Sequence, residues 1–167
     1  VPWKNRLAGG KYHWEGSDYQ AAINEPEREN ANHGLAVWLD WELLDHSESE
    51  MRWATTVPAQ PSYPSPLRIE SHYEVGLSGL RWSVSATNIG RIPAPYGVAS
   101  HPYLKAVTGT ADDWDLTIPA TRVLEVSENR LLPRRLHPVD EYQGGVYDFR
   151  EGRKVAQTRI DHAFTGV

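Results

Sequence analysis

Alternation of apolar and polar residues dominates the chain, while the i, i+3, i+4 spacing of an amphipathic helix is almost absent. Leu67, Ile69, Ser71, Tyr73 and Val75 mark one alternating strand, and Leu80, Trp82, Val84 and Ala86 mark a second after the turn at Gly76 to Gly79. Met51, Trp53, Thr55 and Val57 predict a third strand ahead of them, so the segment reads as an antiparallel meander. An apolar-rich stretch over 35–44, with Trp38 and Trp41, predicts a further strand that ends at the polar run His46-Ser47-Glu48-Ser49-Glu50. Near the start, Lys11 to Trp14, a Glu15-Gly16 turn and Asp18 to Ile23 predict a hairpin with a two-residue loop.

Turn chemistry separates these elements. Pro58, Pro61, Pro64 and Pro66 cannot donate to a ladder and predict a loop. Gly90, Pro93, Pro95 and Gly97 frame a second loop that leads into residues 98–104. Short strands are expected near Asp115 to Ile118 and Arg122 to Val126, a long irregular connection over 131–145, and the opening of a strand at Ile160 to Phe164. No internal repeat, heptad or change of composition divides the chain. The expected class is all-β, with two packed antiparallel sheets forming a β-sandwich. Residues 1–167 are expected to make a single β domain, itself a fragment of a larger one, since no starting Met is present and the last strand has barely begun.

Composition narrows the function. At 167 residues the chain can hide roughly 70% of its unfolded surface, enough for a real core. Seven Trp and eight Tyr against two Phe suit sheet packing first and a sugar-binding cleft second. With 17 Lys+Arg against 22 Asp+Glu, no basic excess is available to displace counterions, so no nucleic-acid partner is expected. No apolar run approaches the roughly 20 residues of a membrane span, and no charged-then-apolar leader opens the chain. Without Cys there is no disulfide, thiolate nucleophile or cysteine-ligated metal.

The seven His are His13, His33, His46, His72, His101, His137 and His162. None forms a helical His-x-x-x-His pair with Glu, so their spacing gives no reason to expect a metal site. No Gly-x-Ser-x-Gly elbow, phosphate loop or Gly-x-Gly-x-x-Gly is present either. Two His stand out by context. His33 sits in Asn30-Ala31-Asn32-His33-Gly34, and His101 in Ala99-Ser100-His101-Pro102-Tyr103, where Pro102 restricts the backbone before it. An imidazole titrating near neutrality suits general acid–base work.

Taken in order, these pieces resemble a family. Pro2-Trp3-Lys4-Asn5-Arg6-Leu7, Gly10-Lys11-Tyr12, Asn24-Glu25-Pro26 and Asn30-Ala31-Asn32-His33-Gly34 resemble the opening motifs of the aldose 1-epimerases, also called galactose mutarotase-like proteins. His101-Pro102-Tyr103-Leu104 is similar to the second His motif, and Asp161-His162-Ala163-Phe164 to the later Asp-x-x-Phe motif. Ser-His-Pro-Tyr-Leu and the Asn32 before His33 mark a divergent branch.

The resemblance implies an incomplete galactose mutarotase-like supersandwich that interconverts the α and β anomers of a free hexose such as glucose or galactose. A base takes the proton of the anomeric hydroxyl, an acid protonates the ring oxygen, and rotation about one C–C bond precedes reclosure. No cofactor or metal is needed for that chemistry. Carried over, His101 is the general acid, and His33 is the second catalytic-site His, bonding the ring oxygen or neighbouring hydroxyls. Arg6, Asn30 and Asp161 bind the monosaccharide. The family's general base, a late Glu, has no counterpart after Asp161, so a second chain or a further segment is expected to complete the site. A non-catalytic carbohydrate-binding module is one alternative. A mutarotase for phosphorylated hexoses, using Arg134-Arg135, is another. A bacterial cytoplasmic location is the accompanying expectation.

Overall fold

Thirteen strands and four short 3-10 turns supply the regular structure of residues 1–167 in the computed structural model. Every strand pairing is antiparallel, so the chain is all-β, as its alternation requires. The contacts divide it into two units, Val1–Ala99 and Ser100–Val167.

The first unit is built on a four-stranded meander. Strands β1 (Arg6–Ala8), β2 (Lys11–Trp14), β3 (Ser17–Gln20) and β4 (Asn30–Asn32) lead to β5 (Glu42–His46), β6 (Glu50–Val57), β7 (Leu67–Gly76) and β8 (Gly79–Asn88). The last four pair in the order β5-β6-β7-β8, while β2 pairs with β3 and β1 with β4. Glu15-Gly16 closes the expected β2–β3 hairpin, with Glu15 at φ 47° and Gly16 at φ 77°. Those angles are what a type I′ turn demands at both central positions.

Alternation gives the meander two unlike faces. Ile69, Ser71 and Tyr73 of β7 share a face with Trp82 and Val84 of β8. Val57, Tyr63, Leu67, Ile69 and Ala36 form the buried core there. Val57, Leu67 and Ile69 each contribute roughly 1.5–3 kcal/mol on leaving water. Glu70, His72 and Glu74 project from the other face, beside Arg52 and Glu50 of β6.

Residues 35–44 correct the expectation of one continuous strand. Ala36–Trp38 form a 3-10 turn, and pairing begins only at Glu42. The Trp41 indole donates to Ala36 O at 3.3 Å, and Leu35 N and Ala36 N both donate to Val1 O, so local and end-to-end contacts override the apolar run.

The second unit contains β9 (Asp115–Leu116), β10 (Arg122–Val126), β11 (Pro133–Pro138), β12 (Arg153–Lys154) and β13 (Phe164–Thr165). Strand β10 lies between β11 and β13, and β12 pairs with β9. Val123, Val139 and Phe149 are its buried centre, with the Arg153 guanidinium 3.9 Å above the Phe149 ring. Here the expected irregular connection over 131–145 is overturned in part. Pro133 and Pro138 bound a six-residue edge strand, where a missing N–H faces no partner. Residues 93–106 have no regular structure.

Candidate active site

Pairing of β1 with β4 brings the first candidate residues together. Arg6 stands opposite Asn32, and Ala8 opposite Asn30. The Arg6 guanidinium turns onto Glu25, with Nε donating to Oε2 at 2.8 Å and Nη2 to Oε1 at 2.8 Å. Asn30, fully buried, donates Nδ2 to Glu25 Oε2 at 3.0 Å, and the two residues also exchange backbone hydrogen bonds. The Arg6 hydrogen bonds, aided by Asn30 against the opposing effect of burial, hold the Glu25 carboxyl at about 2. Two of the Arg6 nitrogens are thus committed to Glu25, and Nη1 lies 3.3 Å from Asn5 Oδ1. Asn30 is the buried brace of the same carboxylate.

His33 follows directly. Asn24 locks the residue before it, donating Nδ2 to Asn32 O at 2.9 Å and accepting from Asn32 N at 2.6 Å. The His33 amide then donates to Asn5 O at 3.0 Å. His33 and Gly34 both adopt left-handed backbone, at φ 64° and 72°. That conformation is uncommon for a residue with a side chain and persists only where the surroundings over-determine it. A Cβ on Gly34 would collide with Val1 O, so only glycine fits there.

The side chain so placed lines a cavity of about 640 Å3 with Trp41, Trp53, Tyr73 and Trp82. Tyr73 and Trp82 face each other across β7 and β8 with ring centroids 5.6 Å apart and planes within 7°. Trp82 Nε1 donates to Ser71 Oγ at 2.8 Å, which fixes the indole. A ligand with both apolar C–H faces and hydroxyls matches such a wall: aromatic rings with an imidazole among them.

The remaining two candidates belong to the second unit. His101 is exposed in the irregular stretch, its ring 5.3 Å from that of Tyr103. Asp161 is exposed ahead of β13, and its amide donates to His162 Nδ1 at 3.3 Å. Neither a hydrogen bond nor a ring contact joins His101 to Asp161. His162 packs 4.2 Å from the Tyr147 ring, and its burial pushes the imidazole pKa down, against the pull of the Asp161 charge.

Comparison with known proteins decides the family. The aldose 1-epimerase profile matches residues 1–167, the whole chain. The chain belongs to the aldose 1-epimerase family. It is 36% identical to YihR, an uncharacterized protein of Escherichia coli K12, over 98% of this chain and 52% of that protein. A second E. coli protein, YphB, also uncharacterized, is 29% identical over 62% of this chain and 34% of its own length. Among solved structures, the GalM/aldose epimerase homologue from C. elegans superposes with a TM-score of 0.76 at 20% identity, covering 93% of this chain and 47% of that one. A galactose mutarotase-like protein from Clostridium acetobutylicum gives 0.70 at 16% identity, covering 96% and 50%. The fold is therefore galactose mutarotase-like, and the chain spans about half the length of YihR.

Within this epimerase fold, three features escaped the sequence. Glu25 was visible only as part of a motif, yet it is the acceptor around which Arg6 and Asn30 are arranged. Tyr73 and Trp82 were legible as strand residues, but their stacking depends on register. Glu125 and His137, joined at 2.7 Å across β10 and β11, lie where an irregular connection was expected.

Proposed function

We propose that the chain carries part of the site of an aldose 1-epimerase acting on a free hexose such as glucose or galactose. His33, fixed in a left-handed turn on the wall of an aromatic cavity, is the observation that supports this most. A sugar in that cavity offers its ring oxygen and hydroxyls to the imidazole and its C–H faces to the indoles. Arg6, oriented by Glu25 and Asn5, is assigned to sugar hydroxyls by the family resemblance. By motif resemblance alone, His101 is assigned as the acid that protonates the ring oxygen as the C1–O bond opens, and Asp161 as an acceptor for sugar hydroxyls. By the same resemblance, the base that removes the anomeric hydroxyl proton is a Glu of the family's late motif. We also place the protein in the cytoplasm, as the family resemblance suggests.

Polarimetry of freshly dissolved α-D-glucose and α-D-galactose tests the assignment. The full-length protein should accelerate the decay of rotation. His101→Ala in it should lower the rate about 100-fold or more, the typical worth of a positioned acid. Undiminished activity in that variant would remove His101 from its role.

A second reading, sugar binding without catalysis, is favoured by the aromatic wall alone. It predicts quenching of Trp fluorescence by hexose with no gain in anomer exchange by the full-length protein. For a phosphorylated substrate the support is weaker, because Arg134 lies 3.8 Å from Glu125 and so already has an anionic neighbour.

A further inference from the structure

The alternation that aims Ile69, Ser71 and Tyr73 at the cavity aims Glu70, His72 and Glu74 at the opposite face of the sheet. On that face the register sets Glu50 of β6 directly across from Glu74 of β7. The Val75 amide donates to Ser49 O at 2.8 Å, which makes Ser49 and Val75 a hydrogen-bonded pair and Glu50 and Glu74 the adjoining non-hydrogen-bonded one. In such a pair the Cα atoms are only about 4.5 Å apart and the side chains crowd. Like charges placed directly opposite are destabilising.

His72 stands beside this carboxylate pair. Its Nε2 is 3.9 Å from Glu50 Oε2, and its Nδ1 is 3.8 Å from Glu74 Oε2. Both separations are too long for hydrogen bonds. The Nε2 atom is nevertheless shielded from solvent and has no hydrogen-bond partner. One donor atom from each of the three side chains lies within 4.8 Å of the other two. Arg52, opposite His72, turns instead to Glu70, with Nη2 3.3 Å from Oε2. Arg81 faces Glu74 from β8, and Ser83 faces His72.

We propose that Glu50, His72 and Glu74 form a binding site for a divalent transition-metal ion of the Zn2+ type. Zinc takes imidazole nitrogen and carboxylate oxygen at about 2.0–2.2 Å, which sets neighbouring donors of a tetrahedron about 3.3 Å apart. Glu50 now lies nearest Nε2 and Glu74 nearest Nδ1, so binding one ion at Nε2 requires both carboxylates to rotate about their side-chain bonds. The ion answers three unmet demands together. It balances two facing carboxylates, supplies the partner that His72 Nε2 lacks, and ties the end of β6 to β7. An imidazole in the set favours Zn2+ over Mg2+ or Ca2+, which prefer oxygen alone. Three protein donors leave one tetrahedral position to water. Because this face is opposite the aromatic cavity, the site stands independently of any sugar chemistry.

Titrating Zn2+ into chelator-treated protein at neutral pH, by calorimetry and by the imidazole nitrogen spectrum, tests the proposal. One saturable event per chain is expected, with the His72 Nε2 resonance shifting as it fills. Glu50→Gln, an exposed change that leaves the fold intact, should weaken binding about tenfold or more, and His72→Ala should abolish it. His13→Ala, which removes the unrelated His13–Asp18 pair, should leave the titration unchanged. Absence of saturable binding, or binding equally strong in both His72→Ala and Glu50→Gln, would overturn the assignment.

Discussion

Arg6 holds Glu25 with both arms of its guanidinium fork, Nε and Nη2 each 2.8 Å from a separate carboxylate oxygen. Both side chains are largely buried, at 16% and 9% exposed. Removing one partner of such a pair strands the other's charge, a heavier loss than the pair's net worth. Glu25→Gln should therefore lower the thermal midpoint by several degrees. Arg6→Lys should do nearly as much, because an ammonium cannot reproduce the fork. Calorimetry on both variants checks this, and an unchanged midpoint in Arg6→Lys would show that charge alone matters.

The same pair sets an acid limit. Glu25 falls from an ordinary value of 4.5 to about 2 in the folded chain, chiefly through the Arg6 hydrogen bonds. Asp148 falls from 3.8 to about 2, chiefly through its hydrogen bond from Arg150. A carboxylate with a depressed folded pKa stabilises fully above its unfolded value and loses that contribution as pH falls through the folded one. The contribution of Glu25 and Asp148 to the urea midpoint should thus stay constant from neutrality to about pH 5 and decline from there to about pH 2. Glu25→Gln should flatten the decline.

In the second unit, Phe149 is 1% exposed and carries the Arg153 guanidinium 3.9 Å above its ring. Truncation leaves a cavity and removes the cation–π contact. Phe149→Ala should cost about 3–5 kcal/mol, while Phe149→Leu should cost a fraction of that. Denaturant titration of both variants measures the difference.

The sequence made the meander plain because alternation and two strong turns identify β6, β7 and β8 without long-range information. Residues 35–44 misled because an apolar run does not say whether it pairs or packs, and their partner was Val1, far away in sequence. Arg6, Asn30 and His33 were singled out by motif resemblance, and β1–β4 pairing brings the first two together on Glu25. His72-x-Glu74 could be placed on one strand face from sequence. Glu50 could not, because a cross-strand neighbour is defined by register alone. His101 and Asp161 lie in exposed, irregular backbone, where local pattern carries least.

Gly34 offers a test that touches the proposed sugar site without altering any candidate side chain. Its φ of 72° suits glycine, and an added Cβ would collide with the Val1 carbonyl, itself the acceptor for Leu35 N and Ala36 N. Gly34→Ala must therefore displace Val1 or unwind the turn that aims His33 at the cavity. Affinity for hexose, read from Trp fluorescence, should fall by about tenfold or more, since a site misplaced by about 1 Å can lose that much and beyond. The meander strands, which share no hydrogen bond with Gly34, should keep their far-ultraviolet signature. His33→Ala should match the loss in affinity and spare the thermal midpoint, whereas Gly34→Ala should lower both. If Gly34→Ala lowers the midpoint yet leaves hexose affinity intact, the turn serves only to anchor Val1, and His33 has no part in holding the sugar.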